Sequence, residues 1–241
     1  MLQNTRELYG NRITALDGDV GTAKDFYFDD KHWLVRYLVA ETGPWLSGRL
    51  ILLCPHSLGE VDLHGKMLHV ELLRKQIQDS PAIDSQIPIS RQYEMEYYRY
   101  YGLPVYWTPG AFSDLGGNRL GLPRSRDGIG TGLQRRHRDD KHLQSAKSVN
   151  GFNIQALDGM LGRVGGVLVD DRDWSIPALV VEIGHWYSEK EILISSSNVD
   201  RVSYEDSMVF VNLTRTEIQQ TPETNLAKAV TSENGRNHFH D

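Results

Sequence analysis

Aspartates and glycines crowd into ALDGDVG at 15–21, and the chain repeats the pattern as ALDGMLG at 156–162. Carboxylates spaced two residues apart beside glycine are the raw material of a calcium loop or a phosphate-cradling turn. Counted from Asp17, a calcium loop of the helix–loop–helix type needs oxygen ligands at the first, third and fifth positions, glycine at the sixth and glutamate at the twelfth. The chain supplies Asp17 and Asp19, then Gly21, Thr22 and Phe28, and the second copy has Met160 in place of Asp19. A phosphate loop opens a helix and carries Lys-Ser/Thr; this loop has no such dipeptide and a strand-like pattern follows it. The cluster therefore reads as a hairpin turn, with Asp17-Gly18 at the reversal because glycine accepts positive φ.

Other candidate groups are as plain. Glu41 and Glu182 recur at matching positions, followed by Trp45 and Trp186. A paired-carboxylate enzyme needs two carboxyls close together in different environments, whereas one equivalent carboxylate per copy marks a repeated fold. Cys54 sits in the apolar LILLCP and aligns with Ser195, which suits a small buried hydrophobe. His64 and His69 do not lie at ligand spacing on one helix face, and His238 and His240 fall in a polar tail. The expectation is a non-enzyme, with no catalytic residues, no cofactor and no metal.

What positions these residues is a repeat. With an offset of 141 (156 minus 15), Ala15, Leu16, Asp17 and Gly18 meet Ala156, Leu157, Asp158 and Gly159. Gly21 meets Gly162, Trp33 meets Trp174, Glu41 meets Glu182, and Arg74 meets Arg215. No gap is needed from Gly10 to Pro222, so the chain holds a duplicated module of about 72 residues, 10–81 and 151–222. Strand patterns dominate it. WLVRYLVAE at 33–41 sets Trp33, Val35, Tyr37 and Val39 on one face; the second copy sets Trp174, Ile176, Ala178 and Val180 there. That face is read as core, with both tryptophans buried. The opposite face carries Leu34, Arg36, Leu38 and Ala40, then Ser175, Pro177, Leu179 and Val181, and is expected to be half covered. Pro177 cannot donate to a ladder and marks an edge or bulge. KMLHVEL and SMVFVNL read as late strands, LLRKQIQDSP and LTRTEIQQTP as short helical turns closed by proline.

The pattern ALDG..G, then DD..W, LV.E.G.W.S and LTR..I..TP resembles the PRC-barrel family, over roughly 10–81 and 151–222. The connector, with ISRQYEMEYYRYYGLPVYW and HLQSAKSV, is similar to that of tandem PRC-barrel proteins of bacteria. The resemblance implies an all-β fold of two small antiparallel PRC-type β-barrels joined by a connector with a short helix. The family's barrel occurs in the cytoplasmic domain of the photosynthetic reaction centre H subunit and at the C-terminal end of a ribosome maturation factor, and in neither does it carry a catalytic constellation. The chain lacks the membrane helix of the first and the second domain type of the other. The implied organisation is a first barrel at 5–83, a connector at 84–146, a second barrel at 147–222 and a disordered tail at 223–241.

The connector holds a tyrosine-rich helix, Ser90 to Gly102, with Tyr93, Tyr97 and Tyr101 on one stripe. The stripe suits packing on a barrel better than stacking on a base. The stretch 118–142 carries seven Arg/Lys against three Asp, a local balance of +4, and its alternating glycines read as a solvated linker. The whole chain is 241 residues with net charge −6, an acidity that argues against a nucleic-acid binder. A single cysteine and the lack of an apolar signal core point to the cytoplasm, and no apolar run is long enough for a membrane helix.

The function expected from these observations is a scaffold or adaptor binding another protein, with Leu34, Leu38, Leu179, Val181, Tyr93, Tyr97 and Tyr101 as candidate interface residues and a homodimer possible. Two alternatives are an accessory protein of a photosynthetic or electron-transfer complex and an RNA-processing or ribosome-associated factor.

Overall fold

A computed structural model describes residues 1–62, 65–81, 83, 91–103, 143–183 and 190–220. The chain divides into two compact units, one of residues 1–83 with 142–241 and one of residues 84–141. The basic stretch at 118–142 and the tail at 223–241 lie outside the described residues.

The first unit is mostly β and contains both modules. The first module runs β1 (Leu2–Asn4), α1 (Thr5–Leu8), β2 (Arg12–Ala15), β3 (Gly18–Asp29), β4 (Leu34–Thr42), β5 (Leu50–Leu53), β6 (Leu58–Asp62), β7 (Met67–Val70) and α2 (Arg74–Gln78). The second repeats this order as β8 (Leu143–Ser145), α4 (Ala146–Val149), β9 (Asn153–Ala156), β10 (Gly159–Asp170), β11 (Ala178–Ile183), β12 (Lys190–Ser195), β13 (Val199–Ser203), β14 (Met208–Val211) and α5 (Arg215–Gln220). Between them in sequence, α3 (Arg91–Tyr101) belongs to the second unit.

Each module builds one curled sheet, in the order β5-β4-β3-β2-β7-β6 and β12-β11-β10-β9-β14-β13. The sheets are mixed, which corrects the expectation of purely antiparallel barrels. β2 runs parallel to β7, and β9 parallel to β14. In each module the later strand arrives after a long excursion through four others, so no hairpin forces it to run antiparallel.

The long central strand is bent where a glycine lets another backbone approach. A Cβ on Gly21 would stand 1.9 Å from the Glu41 carbonyl oxygen, and one on Gly162 would stand 2.2 Å from that of Glu182. Both glycines sit at register shifts of the β2–β3 and β9–β10 ladders, the bulges that curl a sheet.

Apolar alternation holds on the expected face: Val35, Tyr37 and Val39 are buried, as are Ile176, Ala178 and Val180. The opposite face is covered more fully than expected, with Leu38, Ala40, Leu179 and Val181 all buried. Pro177 is exposed just before β11, and its carbonyl accepts from the Ser196 amide at 2.9 Å.

Candidate functional site

The repeated motif residues prove to be contacts between elements. Leu16-Asp17 and Leu157-Asp158 are the two-residue hairpin loops, flanked by the pairs Ala15–Gly18 and Ala156–Gly159. Gly18 and Gly159 have φ of 141° and 139°, which glycine adopts freely. Asp17 Oδ1 accepts from the Arg74 amide at 2.7 Å, and Asp158 Oδ1 from the Arg215 amide at 2.8 Å. Each aspartate thus satisfies the first free amide of the short helix that ends its module. The Arg215 amide and side chain hold the Asp158 carboxyl below its ordinary range.

The strand reversals carry the second motif. Asp29 and Asp170 close them, with the Trp33 amide donating to the Asp29 carbonyl at 2.8 Å and that of Trp174 to the Asp170 carbonyl at 2.7 Å. Both tryptophans take left-handed backbone, φ 52° and 59°. They belong to the turns, one residue or more before the strands they were expected to begin. Trp174 is 3% exposed, whereas Trp33 is only half-buried, which corrects the expectation that both lie in the core. Trp174 stacks on Phe26 of the other module at 5.9 Å, and Trp33 on Phe28 of its own at 5.6 Å. The counterpart of Phe26 is Val167, which offers no ring to Trp33.

Asp29 also has a buried ionic partner. Arg36 Nη2 reaches Asp29 Oδ2 at 2.9 Å, with side-chain exposures of 10% and 5%. Burial alone would raise the Asp29 pKa, but hydrogen bonds from His32, Arg36 and the Lys31 amide outweigh it and hold it low. Asp170 is held lower still, first by the guanidinium of Arg172, which binds both its oxygens.

A seam joins the modules, and its plan is a reciprocal exchange. β1 pairs antiparallel with β10 of the second module, Gln3 opposite Val169. β8 pairs antiparallel with β3 of the first, Gln144 opposite Phe28. These two pairs are counterparts under the 141-residue offset, so the module ends cross over symmetrically. At the centre, Leu34 bridges Ser175, its own counterpart. The Val35 amide donates to the Trp174 carbonyl at 2.9 Å, and the Ile176 amide to the Trp33 carbonyl at 2.7 Å. This is the isologous contact of a two-fold dimer, written inside one chain.

Side chains differentiate the two halves of the seam. Asp25 accepts from Ser145 Oγ at 2.5 Å and from the Lys147 amide at 3.0 Å. Its counterpart Gly166 leaves room for Asn4, whose Oδ1 would lie 2.4 Å from an added Cβ. Burial pushes the Asp25 carboxyl up despite these donors. Tyr204 hydroxyl brackets the Ser145 backbone, accepting from its amide at 2.6 Å and donating to its carbonyl at 3.1 Å. On the other half, Glu182 binds Arg6 at 2.9 Å and Arg163 at 2.7 Å, and Arg163 is the first cause of its lowered pKa.

The remaining expected residues fall as follows. Leu38, Leu179 and Val181 are buried within the chain and Leu34 is half-buried at the seam. Tyr97 is buried, Tyr101 half-buried, and their rings lie 4.7 Å apart on α3; Tyr93 is in that helix, its side chain outside the described residues. The helix stops at Gly102, φ 65°, where the Leu103 amide reaches back to the Tyr98 carbonyl. Glu41 pairs with Lys24, so the two recurring glutamates are spent in separate ion pairs. Cys54 is buried, its thiol pushed up to about 11 by burial. Trp186, His64, His238 and His240 lie outside the described residues. The large apolar side chains left in water include Leu16 and Leu157 at the hairpin tips, 69% and 67% exposed, and Met160, 48% exposed.

Among the described residues no group of three or more His, Cys, Asp or Glu is arranged to hold a metal, and no helix is long and apolar enough to cross a membrane. No family model matches this chain, and no curated protein matches it.

Proposed function

We propose that this chain is a tandem PRC-barrel protein of the cytoplasm that works as a non-catalytic scaffold, holding another protein on its paired modules. The observation that carries this reading is the reciprocal seam: the motif residues are committed to building and joining the modules rather than to a reaction centre. Catalysis requires groups aimed at a common reacting atom, whereas Asp17, Asp158, Asp29, Asp170 and Glu182 all point at fixed partners of the fold. Exposed apolar side chains at equivalent hairpin tips, Leu16 on one module and Leu157 with Met160 on the other, suit a binding role, since they offer apolar contact area to a partner.

The test is purification of the complex from the native host with the full chain as bait, followed by mass spectrometry and an absorption spectrum. The expected result is a protein retained in fixed stoichiometry, lost when Leu157 and Met160 are both changed to Asp while the unfolding midpoint stays put. A co-purifying chromophore or quinone would replace this reading with an electron-transfer accessory. Co-purifying RNA would replace it with an RNA-associated factor.

A further inference from the structure

The seam has the symmetry of a dimer interface but joins two parts of one chain. Each of its backbone contacts has a counterpart or lies on the axis: β1 on β10 and β8 on β3, the Leu34–Ser175 bridge, and the two amide–carbonyl bonds that flank it. None of these contacts needs the two modules to come from the same molecule. Each module's sheet takes in a strand from the other module, and residues 84–141 lie between the two modules in the chain.

We propose that a second copy of this chain is a partner for the seam, with two chains trading whole modules so that each first module closes on the other chain's second module. The dimer makes every contact twice and needs no new surface, which is why exchange of identical elements is a low-cost route to dimers. Like does not pair with like in this arrangement. Asp25 is matched to Ser145 and the Lys147 amide, and Gly166 to Asn4. A first module meeting another first module would set Asn4, rather than Ser145, against Asp25. In dilute solution the intervening chain holds the cognate module at an effective concentration up to the order of mM and keeps single chains closed. Chains that fold while crowded trade partners.

The bridge on the axis supplies the readout. Leu34 and Ser175 face each other as a pair flanked by, rather than sharing, backbone hydrogen bonds, the closer of the two antiparallel geometries. The variant carrying Leu34→Cys and Ser175→Cys is refolded at about 1 μM and at about 200 μM, then oxidised and run on a non-reducing gel, concentrations chosen to stay below the effective value. The expected result is a monomer with an internal disulfide in the dilute sample and at least about tenfold more disulfide-linked dimer in the concentrated one. Leu34→Cys and Ser175→Cys alone should give no linked dimer, since each thiol then faces no thiol. Should the double variant fail to fold, the wild-type chain refolded at both concentrations and sized by light scattering serves instead. Monomer at both concentrations, or a linked dimer in the single variants, overturns the proposal.

Discussion

At the residue scale, position within the pseudo-symmetric frame decides what equivalent residues are worth. Trp174 and Trp33 share a turn, a left-handed backbone and an offset, yet one is buried against Phe26 and the other half-wet against Phe28. Trp174→Ala is expected to cost about 3–5 kcal/mol and Trp33→Ala about 1–2 kcal/mol, read from urea unfolding. Equal losses would show that both rings are packed alike. Asp29 offers a test by pH. Its folded pKa lies below the unfolded value, so its stabilisation is present at neutral pH and is lost as pH falls below about 4. Asp29→Asn also removes the carboxylate partner of a buried guanidinium, so the variant should be about 3 kcal/mol less stable at pH 7. That gap should narrow steadily in unfolding curves taken toward pH 3. A gap that does not change with pH would mean that the carboxylate charge is irrelevant to the fold.

At the element scale, the bulges and the exchanged strands matter most. Gly21→Ala and Gly162→Ala each force a Cβ against a carbonyl of the neighbouring strand. Each should destabilise by about 2–3 kcal/mol, and Gly21→Ala by more, because its φ of 157° is also one that alanine avoids. Thermal unfolding of the two variants tests this, and losses below about 0.5 kcal/mol in both would place the strands farther apart than the bulges require. The repeat, the hairpins at Asp17 and Asp158, the core face of β4 and β11 and the terminal helical turns were all legible, because period-two alternation and turn residues are local signals. The exchange was not. LQN and LQS are three-residue strands with one apolar side chain each, too short for any period, and in the sequence they read as lead-in and connector. Their signal lay in the offset itself: Leu2-Gln3 repeats as Leu143-Gln144, upstream of where the resemblance begins. The left-handed tryptophans escaped for a different reason, since aromatic residues favour strands and only the turn's Asp–Trp hydrogen bond overrides that preference.

At the scale of the whole molecule, the seam has to be strong enough to do without the covalent link. β1 and β8 complete the other module's sheet, Phe26 and Trp174 stack across it, and Arg6 and Asp25 bind across it from opposite ends. Backbone pairing and buried rings of this kind characterise obligate interfaces, whose parts have little stability alone. A small module of about 72 residues has too little core to be robust by itself. Excising residues 84–141, through protease sites inserted at both ends of that stretch, should therefore leave two fragments that elute together in gel filtration. Ser145→Asp then supplies the control. It sets a second carboxylate against Asp25 at the 2.5 Å contact, where like charges repel strongly in partly dry surroundings. In the uncut chain the variant should stay folded, because the intervening residues keep returning the displaced module. Once cut, its fragments should separate. Wild-type fragments that part without denaturant would mean two independent modules on a string, with the exchange too weak to define a single body.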